Sequence, residues 1–403
     1  MKIIVKKFGG TSLSDIDRIN RAISYIVKTK SAGYKVVIVV SAMGKETDRL
    51  LTLTDNLEEY RESDDLSALL SAGEQISSSI FSIMLHKQKV KGQSFQGWQV
   101  PILTNSGPNN AYIESIDTKQ IIKSLKLGMT PIVSGFQGIN KANRITTLGR
   151  GGSDTTAVAL AAKLNAVRCD IYTDVDGVYT TDPNIDQNAK KIPKMSYEEM
   201  LEMASTGSKV LHTRSVELAM KNNLTLQVLS SLTKETGTFI VDEKELIEKE
   251  IVSGVSYSKN EAKVTISGIL DKPGISAKIF SLMTENNINV DMIVQNISQD
   301  GISANITFTI SQKDFDITKS VIEKNHNSLK YKSLSLDKNV AKISVIGMGM
   351  MSQAGVAEKM FKTLAKNEIN ILAISTSEIK ISVLIEEKHT NIAVKSLHEA
   401  YNL

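Results

Sequence analysis

The sequence KIIVKKFGGTS at residues 2–12 is the most informative segment for the fold of the N-terminal part. Residues 2–7 form a short apolar strand, and two glycines follow it. Asp15 to Lys30 then places isoleucines and a valine at the spacing of one helical face. Lys35 to Val40 is a second strand, built from β-branched residues. A strand, a glycine turn, a helix and another strand predict a unit with two parallel strands.

The same alternation continues to about residue 170. We predict helices over Leu66 to Leu85 and Thr155 to Leu164, and strands over Pro131 to Ser134 and Arg168 to Thr173. This pattern predicts an α/β domain whose largely parallel sheet is covered by helices. Ligands of such sheets bind beyond the carboxyl ends of the strands, where the glycine-bearing loops of this chain lie.

The C-terminal part contains an internal repeat. Gly274-Ile275 matches Gly355-Val356, 81 residues later. In the same register, Lys278, Phe280, Asn286, Ile288 and Asn289 match Lys359, Phe361, Asn367, Ile369 and Asn370. A pattern found twice indicates two similar small α/β modules. The charged stretch Glu243 to Glu250 marks the boundary before them. We predict domains at 1–242, 251–335 and 336–403, with strand exchange between the last two.

Composition excludes several classes of protein. Of 403 residues, 41% are hydrophobic and 23% are charged, as in ordinary globular chains. The net charge of +4, from 48 basic and 44 acidic residues, does not indicate nucleic-acid binding. No apolar run approaches the roughly 18 residues of a membrane helix, and the start is too polar for a signal peptide. One cysteine, Cys169, cannot form an internal disulfide, so we expect a cytoplasmic location.

The first motif with chemical potential is Lys7-Phe8-Gly9-Gly10-Thr11-Ser12, between a strand and a helix. Paired glycines let backbone N–H groups approach an anion, and the helix start adds partial positive charge. With Lys7 beside them, they suggest a phosphate cradle. The lysine precedes the glycines, so this is not a Walker A motif. A tight turn with a surface lysine is the alternative.

The second motif is Gly149-Arg150-Gly151-Gly152-Ser153-Asp154-Thr155-Thr156. A guanidinium flanked by glycines presents an unobstructed fork to a carboxylate or phosphate. Ser153 or Asp154 is expected to cap the following helix. A helix cap with a flexible approach loop is the alternative, although capping alone does not require three glycines around an arginine.

Two further segments are less specific. Residues 172–183, YTDVDGVYTTDP, place three carboxylates at a strand end, which suits a ribose, water-bound magnesium or ordinary turns. In Ser71-Ala72-Gly73-Glu74-Gln75, Glu74 is a candidate ligand for an ammonium group, or part of a solvated helix face. The five histidines show no metal-ligand spacing, so no metal site is predicted.

Taken together and in this order, the motifs resemble the aspartate kinases of the amino-acid kinase superfamily. Ser41-Ala42-Met43-Gly44, with Thr47-Asp48, is similar to a further block of that family, and the repeat looks like a pair of ACT domains, which bind regulatory amino acids. The resemblance extends from Lys6 to about residue 400. It implies an amino-acid kinase fold followed by two ferredoxin-like βαββαβ modules. It also implies transfer of phosphate from ATP, with Mg²⁺, to the β-carboxylate of L-aspartate, the entry to lysine/diaminopimelate, threonine and methionine synthesis.

The resemblance also implies roles for individual residues. Lys7 neutralises the transferring phosphoryl group and Asp154 orients Lys7. Arg150 holds the substrate α-carboxylate and Glu74 the ammonium group. Ser41, Thr47 and Ser153 surround the β-carboxylate, with Gly151 and Gly152 beside them. Phe8, Gly9, Gly10, Thr11 and Ser12 follow the phosphates, and Thr173, Asp174, Tyr179, Asp182 and Lys209 line the nucleotide.

For regulation, the resemblance implies an effector site in the first module, for lysine, threonine or both. Its residues are Asp271, Gly274, Ile275, Ser276, Asp291 and Gln295. In the second module, Met351 and Ala354 depart from the family pattern, which places an effector site there in doubt. We expect a homodimer or tetramer through these modules. A kinase for another amino-acid carboxylate, such as glutamate, and a non-catalytic amino-acid sensor remain alternatives.

Overall fold

The computed structural model describes residues 1–55, 63–205, 210–233, 235–246, 250–297, 302–351 and 353–403. The chain folds into two compact units. The first unit comprises Met1–Val178, Lys191–Ala204 and Lys209–Ile247. The second comprises Tyr179–Lys190, Ser205–Ser208 and Glu248–Leu403. Residues 179–190 therefore depart from the predicted 1–242 domain and belong with the C-terminal modules.

The first unit is an α/β sandwich, as predicted. Its strands are β1 (Ile3–Phe8), β2 (Lys35–Val40), β3 (Gly92–Phe95), β4 (Ile102–Thr104), β5 (Ile113–Ile116), β6 (Thr130–Ser134), β7 (Gln137–Ile139), β8 (Ile145–Thr147), β9 (Arg168–Thr173), β10 (Lys194–Ser196), β11 (Leu226–Ser230) and β12 (Thr238–Val241). Its helices are α1 (Ile16–Ser31), α2 (Glu46–Thr52), α3 (Asp64–Lys87), α4 (Lys119–Lys126), α5 (Gly152–Lys163), α6 (Tyr197–Ser205) and α7 (Thr213–Lys221).

The main sheet has the order β10-β12-β11-β9-β1-β2-β6-β3. All its pairs are parallel except β11 with β12. The central strands β1 and β2 are buried almost throughout, because helices cover both faces of the sheet. A smaller sheet has the order β5-β4-β7-β8. The predicted largely parallel sheet is confirmed.

Strand β1 directs alternate side chains to opposite faces of the sheet. Phe8 faces the core that α1 and α3 cover, where its ring stacks on Phe81 and Tyr172. Lys7 faces α5, where its ammonium meets Asp154. Consecutive residues of the opening motif therefore have different surroundings.

Helix α3 is the only helix in the described part of the chain that is long and apolar enough to cross a membrane by length and composition. However, 56% of its most apolar window is buried inside the protein. Its buried side chains include Glu74 and several serines, which hydrogen-bond within the first unit. These are the features of a core helix of the α/β sandwich.

The second unit is built on one antiparallel sheet of six strands, in the order β14-β15-β13-β16-β18-β17. The strands are β13 (Gly254–Leu270), β14 (Val290–Ile297), β15 (Ser303–Ser311), β16 (Ser333–Ile346), β17 (Ala373–Thr376) and β18 (Lys380–Glu386). The helices are α8 (Ile275–Glu285), α9 (Phe315–Lys324), α10 (His326–Leu329), α11 (Val356–Lys366) and α12 (Thr390–Ala400).

The two long strands β13 and β16 each serve both modules. The first part of β13 pairs with the end of β16, at Gly254 with Ile346, and its later part pairs with β15. The predicted module boundary at 335/336 therefore falls inside β16, a strand that the two modules share. The physical reason is that β13 and β16 pair continuously, apart from local bulges, so neither module closes its sheet without a strand segment of the other.

The repeat of 81 residues is reproduced in backbone geometry. Gly274 precedes α8 with a φ of +91°, and Gly355 precedes α11 with a φ of +98°. Both are left-handed conformations that favour glycine. The matching glycines in the sequence therefore mark equivalent helix starts.

Candidate active site

The carboxyl ends of neighbouring parallel strands bring three loops together. The amide of Ser41 donates to the carbonyl of Phe8 at 3.1 Å, and that of Gly135 donates to the carbonyl of Val40 at 3.0 Å. The loops after β1, β2 and β6 therefore leave the sheet side by side, continuing its ladder by one residue. This is the edge at which parallel sheets bind ligands.

The loop after β1 requires glycine because another backbone lies against it. A Cβ on Gly10 would lie 2.8 Å from the carbonyl oxygen of Ala42 and 2.9 Å from that of Gly44. The amide of Gly44 donates to the carbonyl of Gly10 at 2.9 Å. Gly9 leaves room for the Lys7 ammonium, which would lie 3.4 Å from a Cβ at that position. The tight turn of the alternative interpretation is real, and it also accommodates Lys7.

The ammonium of Lys7 and the carboxylate of Asp154 form an ion pair across the β1–α5 contact. Nζ of Lys7 lies 2.6 Å from Oδ1 of Asp154, and the two side chains are only 10% and 13% exposed. Lys7 projects from the strand, whereas Asp154 lies in the first turn of α5. A cation fixed in this way suits charge that develops on a transferring phosphoryl group.

Glu74 is buried on α3, and the interpretation as a solvated helix face is wrong. Only 3% of the residue is exposed. Its Oε1 accepts the amide of Ala42 at 2.9 Å, whereas Oε2 has no hydrogen-bond partner among the described residues. Burial raises the pKa of Glu74 to about 8, although the Ala42 amide and the charge of Lys7 oppose the rise. A buried carboxylate with one free oxygen suits a cationic ligand such as an ammonium group.

The glycine beside Glu74 is explained by close packing. A Cβ on Gly73 would lie 2.7 Å from the Cβ of Ala42. Helix α3 therefore approaches the loop after β2 closely enough for Glu74 to reach its backbone. A glycine within a helix is otherwise unfavourable, so this approach accounts for its place there.

Arg150 lies in a loop whose conformation depends on its flanking glycines. Gly149 and Gly151 have φ angles of +75° and +71°. A Cβ on either would also clash, with Asn110 and His212 respectively. The Arg150 side chain is exposed and forms no hydrogen bond or ion pair with the part of the chain that the structure describes. Its guanidinium is therefore available to an anion.

The expected helix cap is wrong. Helix α5 is capped by Gly151 in the left-handed conformation, without a side-chain hydrogen bond. Ser153 and Asp154 lie one to two residues inside the helix, so their side chains cannot cap its start. Instead, Asp154 meets Lys7, and buried Ser153 packs where a Cβ on Gly135 would lie 2.8 Å from its side chain.

The remaining predicted substrate ligands lie near these loops in the chain. Ser41 is half-buried directly after β2, and its carbonyl accepts Oγ of Ser77 at 2.7 Å. Thr47 is half-buried in the first turn of α2. Gly152 begins α5 against Phe136, where a Cβ would lie 2.9 Å from its ring. Their contacts with substrate remain predictions.

Some predicted nucleotide ligands have other surroundings. The Phe8 side chain is fully buried in the core, so only its backbone can face a nucleotide. Ser12 is also buried, and the carbonyl of Thr11 accepts from Arg18. Thr173 ends β9 and donates to the carboxylate of Asp174 at 3.0 Å. Lys209 lies outside the described residues.

Tyr179 and Asp182 belong to the second unit. Both oxygens of Asp182 already have partners there. The hydroxyl of Tyr257 donates to Oδ2 at 2.9 Å, and the amide of Asn184 donates to Oδ1 at 2.9 Å. This carboxylate therefore holds the segment 179–190 within the second unit, and a role for it at the nucleotide remains a prediction.

Sequence reasoning missed the polar layer behind Glu74. Ser134 donates to Oε1 of Gln96 at 2.6 Å and lies 2.9 Å from Oγ of Ser78 and 3.1 Å from the carbonyl of Glu74. These contacts fix α3 against β6. The concentration of serines in α3 is the available signal, because serine is not a favoured residue in helix interiors.

In the second unit, the structure joins some of the predicted effector residues. The hydroxyl of Ser276 donates to Oε1 of Gln295 at 3.0 Å. Asp271 and Gly274 are exposed, and Ile275 is buried at the start of α8. Apart from its chain neighbours, no atom of the described residues lies within 4 Å of a Cβ built on Gly274, so the helix start opens to solvent.

The Asp291 carboxylate contacts a residue outside this loop. This carboxylate pairs with the buried ammonium of Lys342, which also lies 3.2 Å from Glu261. Although partial burial opposes ionisation, Lys342 holds the pKa of Asp291 below its ordinary value. In the structure, the Asp291 carboxylate is thus paired with an ammonium group of the protein itself. A bound effector's ammonium group at this carboxylate remains a prediction.

The profile of the amino acid kinase family matches residues 2–230, and an ACT domain profile matches residues 264–325 and 343–401. The chain therefore belongs to the amino acid kinase family.

Relatives that match over nearly their full length identify the group to which the chain belongs within this family. The aspartate kinase of Pseudomonas putida is 47% identical over 404 residues, covering 100% of this chain and 98% of the relative. The aspartokinase of Helicobacter pylori is 47% identical over 410 residues, covering 100% and 99%. Among solved structures, E. coli aspartokinase III in complex with aspartate and ADP superposes with a TM-score of 0.82 at 27% identity, covering 99% of both chains. The resemblance to the aspartate kinases is confirmed, and within its family the chain is one of them.

Proposed function

We propose that this chain phosphorylates the β-carboxylate of L-aspartate, with ATP as the phosphoryl donor, to give 4-phospho-L-aspartate and ADP. The observation that carries the proposal is a set of three ionisable side chains around the loops at the carboxyl edge of the sheet. Lys7 is fixed beside the glycine loop, while one buried oxygen of Glu74 and the guanidinium of Arg150 have no partner within the described residues. Together they complement a phosphate, an ammonium group and a carboxylate.

Phosphoryl transfer depends mainly on positioning and electrostatics. The β-carboxylate of aspartate has an ordinary pKa of about 3.9 and is ionised at neutral pH, so the acceptor needs no general base. In this proposal, Glu74 and Arg150 hold the amino and α-carboxyl groups. Lys7, oriented by Asp154, stabilises the charge that develops on the transferring group.

When bound, Mg²⁺ would neutralise negative charge on the nucleotide phosphates. Among the described residues, no three or more His, Cys, Asp or Glu side chains cluster in a way that could hold an ion. We therefore place magnesium on the nucleotide phosphates in this proposal, without a dedicated cluster of protein ligands.

The ACT modules support feedback regulation by an amino acid. E. coli aspartokinase III has been solved in complex with lysine and aspartate and superposes on this chain with a TM-score of 0.78. By analogy, lysine and threonine are the effectors to test first, at the loop of Asp271 to Ser276.

A homodimer or tetramer through these modules and a cytoplasmic location belong to the same proposal. Light scattering of the purified chain measures the oligomeric state.

The experiment is ATP- and magnesium-dependent acyl hydroxamate formation, with aspartate compared with glutamate, each with and without lysine and threonine. We expect turnover of aspartate, little or none of glutamate, and inhibition by lysine, threonine or the two together. Turnover of glutamate instead would assign a different acceptor. Folded protein that binds an amino acid and turns over neither acceptor would favour a non-catalytic sensor.

A further inference from the structure

Arg214 holds the backbone of the loop that carries Arg150. It lies in the first turn of α7, the helix that packs on α5 in the first unit. Its Nη1 donates to the carbonyl of Leu148 at 3.0 Å, and its Nη2 donates to the carbonyl of Ala111 at 2.7 Å. Leu148 is two residues before Arg150. One planar guanidinium thus bridges two backbone segments beside the substrate loop.

The side chain is held in place from a second direction. The guanidinium carbon of Arg214 lies 4.4 Å from the ring centroid of Tyr112, a cation–π contact. Tyr112 follows Ala111 directly, so the same segment supplies both a carbonyl and a ring. These contacts fix the orientation of the guanidinium plane, so that both of its Nη groups point at their carbonyl acceptors.

Arg214 has no carboxylate ion-pair partner within the described ranges of the chain. Its partners are two carbonyl groups and a ring, which do not neutralise a cation. Partial burial lowers the pKa of Arg214 from its ordinary value, although the charges of Tyr112 and Glu217 oppose the fall. Partial burial of a cation without a direct ion pair is unfavourable for stability, which points to a role at the neighbouring site.

The conformation of the loop from Leu148 to Gly151 depends on its contacts with the start of α7. Gly149 and Gly151 adopt left-handed conformations, so the backbone between them is set by its packing. Gly151 lies against His212, where a Cβ would come 2.5 Å from the His212 Cβ. The start of α7 therefore contacts the loop on both sides of Arg150, through Arg214 and through His212.

We propose that Arg214 is a positioning residue for L-aspartate. It clamps the loop of Leu148 to Gly151, so that the Arg150 guanidinium is presented to the substrate α-carboxylate. This inference rests on the proposed function and adds to it a residue that does not itself touch the substrate. Misplacement of a binding group by about 1 Å can cost on the order of 10²-fold in rate.

The test compares Arg214→Met and Arg214→Lys with a matched control, Arg144→Met. Arg144 is also a partly exposed arginine of the first unit, but it pairs with Asp64 and Asp65 instead of loop carbonyls. Steady-state kinetics give KM for aspartate, KM for ATP and kcat, and thermal melting reports folding. Calorimetry measures aspartate binding without turnover.

We expect Arg214→Met to raise KM and Kd for aspartate by about tenfold or more, with a much smaller change in KM for ATP. Arg214→Lys should remain impaired, because an ammonium group does not reproduce the planar fork. Arg144→Met should leave both KM values near those of the unmodified chain.

The inference is overturned if either Arg214 variant has an unchanged KM for aspartate. It is also overturned if both KM values rise equally together with a loss of melting temperature, which indicates a structural role only. If Arg214→Met does not fold, Arg214→Lys and Tyr112→Leu carry the test. Failure of the unmodified chain to turn over aspartate would refute the proposed function instead, so the two failures are distinguishable.

Discussion

Strand β1 carries two adjacent lysines in ion pairs of the same length on opposite faces of one sheet. Nζ of Lys6 lies 2.6 Å from Asp170, and Nζ of Lys7 lies 2.6 Å from Asp154. The Lys6 and Asp170 side chains are 2% and 1% exposed, whereas those of Lys7 and Asp154 are 10% and 13% exposed.

The partners of the two lysines differ in kind. Asp170 lies on the neighbouring strand in register with Lys6, and Arg168 and the hydroxyl of Tyr172 complete a closed network. Lys7 instead reaches a helix start beside two glycines and opens to the carboxyl edge of the sheet. Equal distances therefore do not imply equal roles: the closed pair fixes two strands, and the open pair holds a cation beside a binding site.

Among the substitutions that test the different roles of the two lysines, Lys7→Ala is expected to have the largest effect. Removal of the cation beside the phosphate loop should lower kcat by about 10³-fold. The small side chain of the introduced alanine should leave the fold intact, because the site is partly open to solvent. Coupled measurement of ADP release gives kcat, and thermal melting checks the fold. Near-normal turnover in folded protein would refute the role given to Lys7.

The next effect is expected for Glu74→Gln, which replaces the ionisable carboxyl group with an amide of similar size. Loss of a charge-assisted contact to the substrate ammonium group should raise KM for aspartate roughly 10- to 100-fold. The KM for ATP should change little. Ser78→Ala, in the polar layer behind Glu74, serves as the control for disturbed packing of α3.

The same residue predicts a pH dependence. Because burial raises the pKa of Glu74 to about 8, the Glu74 carboxyl group is mostly protonated at neutral pH when the site is empty. An ammonium group prefers the ionised carboxylate, so affinity for aspartate should rise with pH and level off above that pKa. Glu74→Gln should flatten the profile. An unchanged profile in this variant would assign the titration to another group.

The smallest effect on catalysis is expected for Lys6→Met. Removing one partner of a buried ion pair should lower the free energy of unfolding by about 3 kcal/mol, since Arg168 still pairs with Asp170. The kcat of the folded fraction should stay within about threefold of the unmodified chain. Urea unfolding and activity at low temperature measure the two effects. A large loss of kcat without loss of stability would break the comparison.

Much of the fold could be predicted from local patterns. The strands predicted over Lys35–Val40 and Arg168–Thr173 have those same bounds in the structure. Five of the six residues of Lys35–Val40 are β-branched, which favours a buried strand. The glycines 81 residues apart likewise mark equivalent helix starts, because a left-handed residue there requires glycine.

The misses share one cause, which is that they depend on residues far away in the sequence. The burial of Glu74 follows from the approach of α3 to Ala42, and the role of Arg214 follows from carbonyls at Leu148 and Ala111. The place of residues 179–190 in the second unit depends in part on a buried contact of Asp186 with His398, at 3.0 Å. No local periodicity reports such contacts.

The α/β class, the tandem modules, the family and the residue types that the chemistry requires could be predicted before the structure, because local periodicity and short motifs indicate them. The closed pair of the adjacent Lys6 with Asp170 became visible only in the folded chain, since one residue of strand exchanges the faces of the sheet. The tertiary structure also decided that the Glu74 carboxylate is buried with one oxygen open to a ligand, because burial is a property of the neighbours that folding brings together.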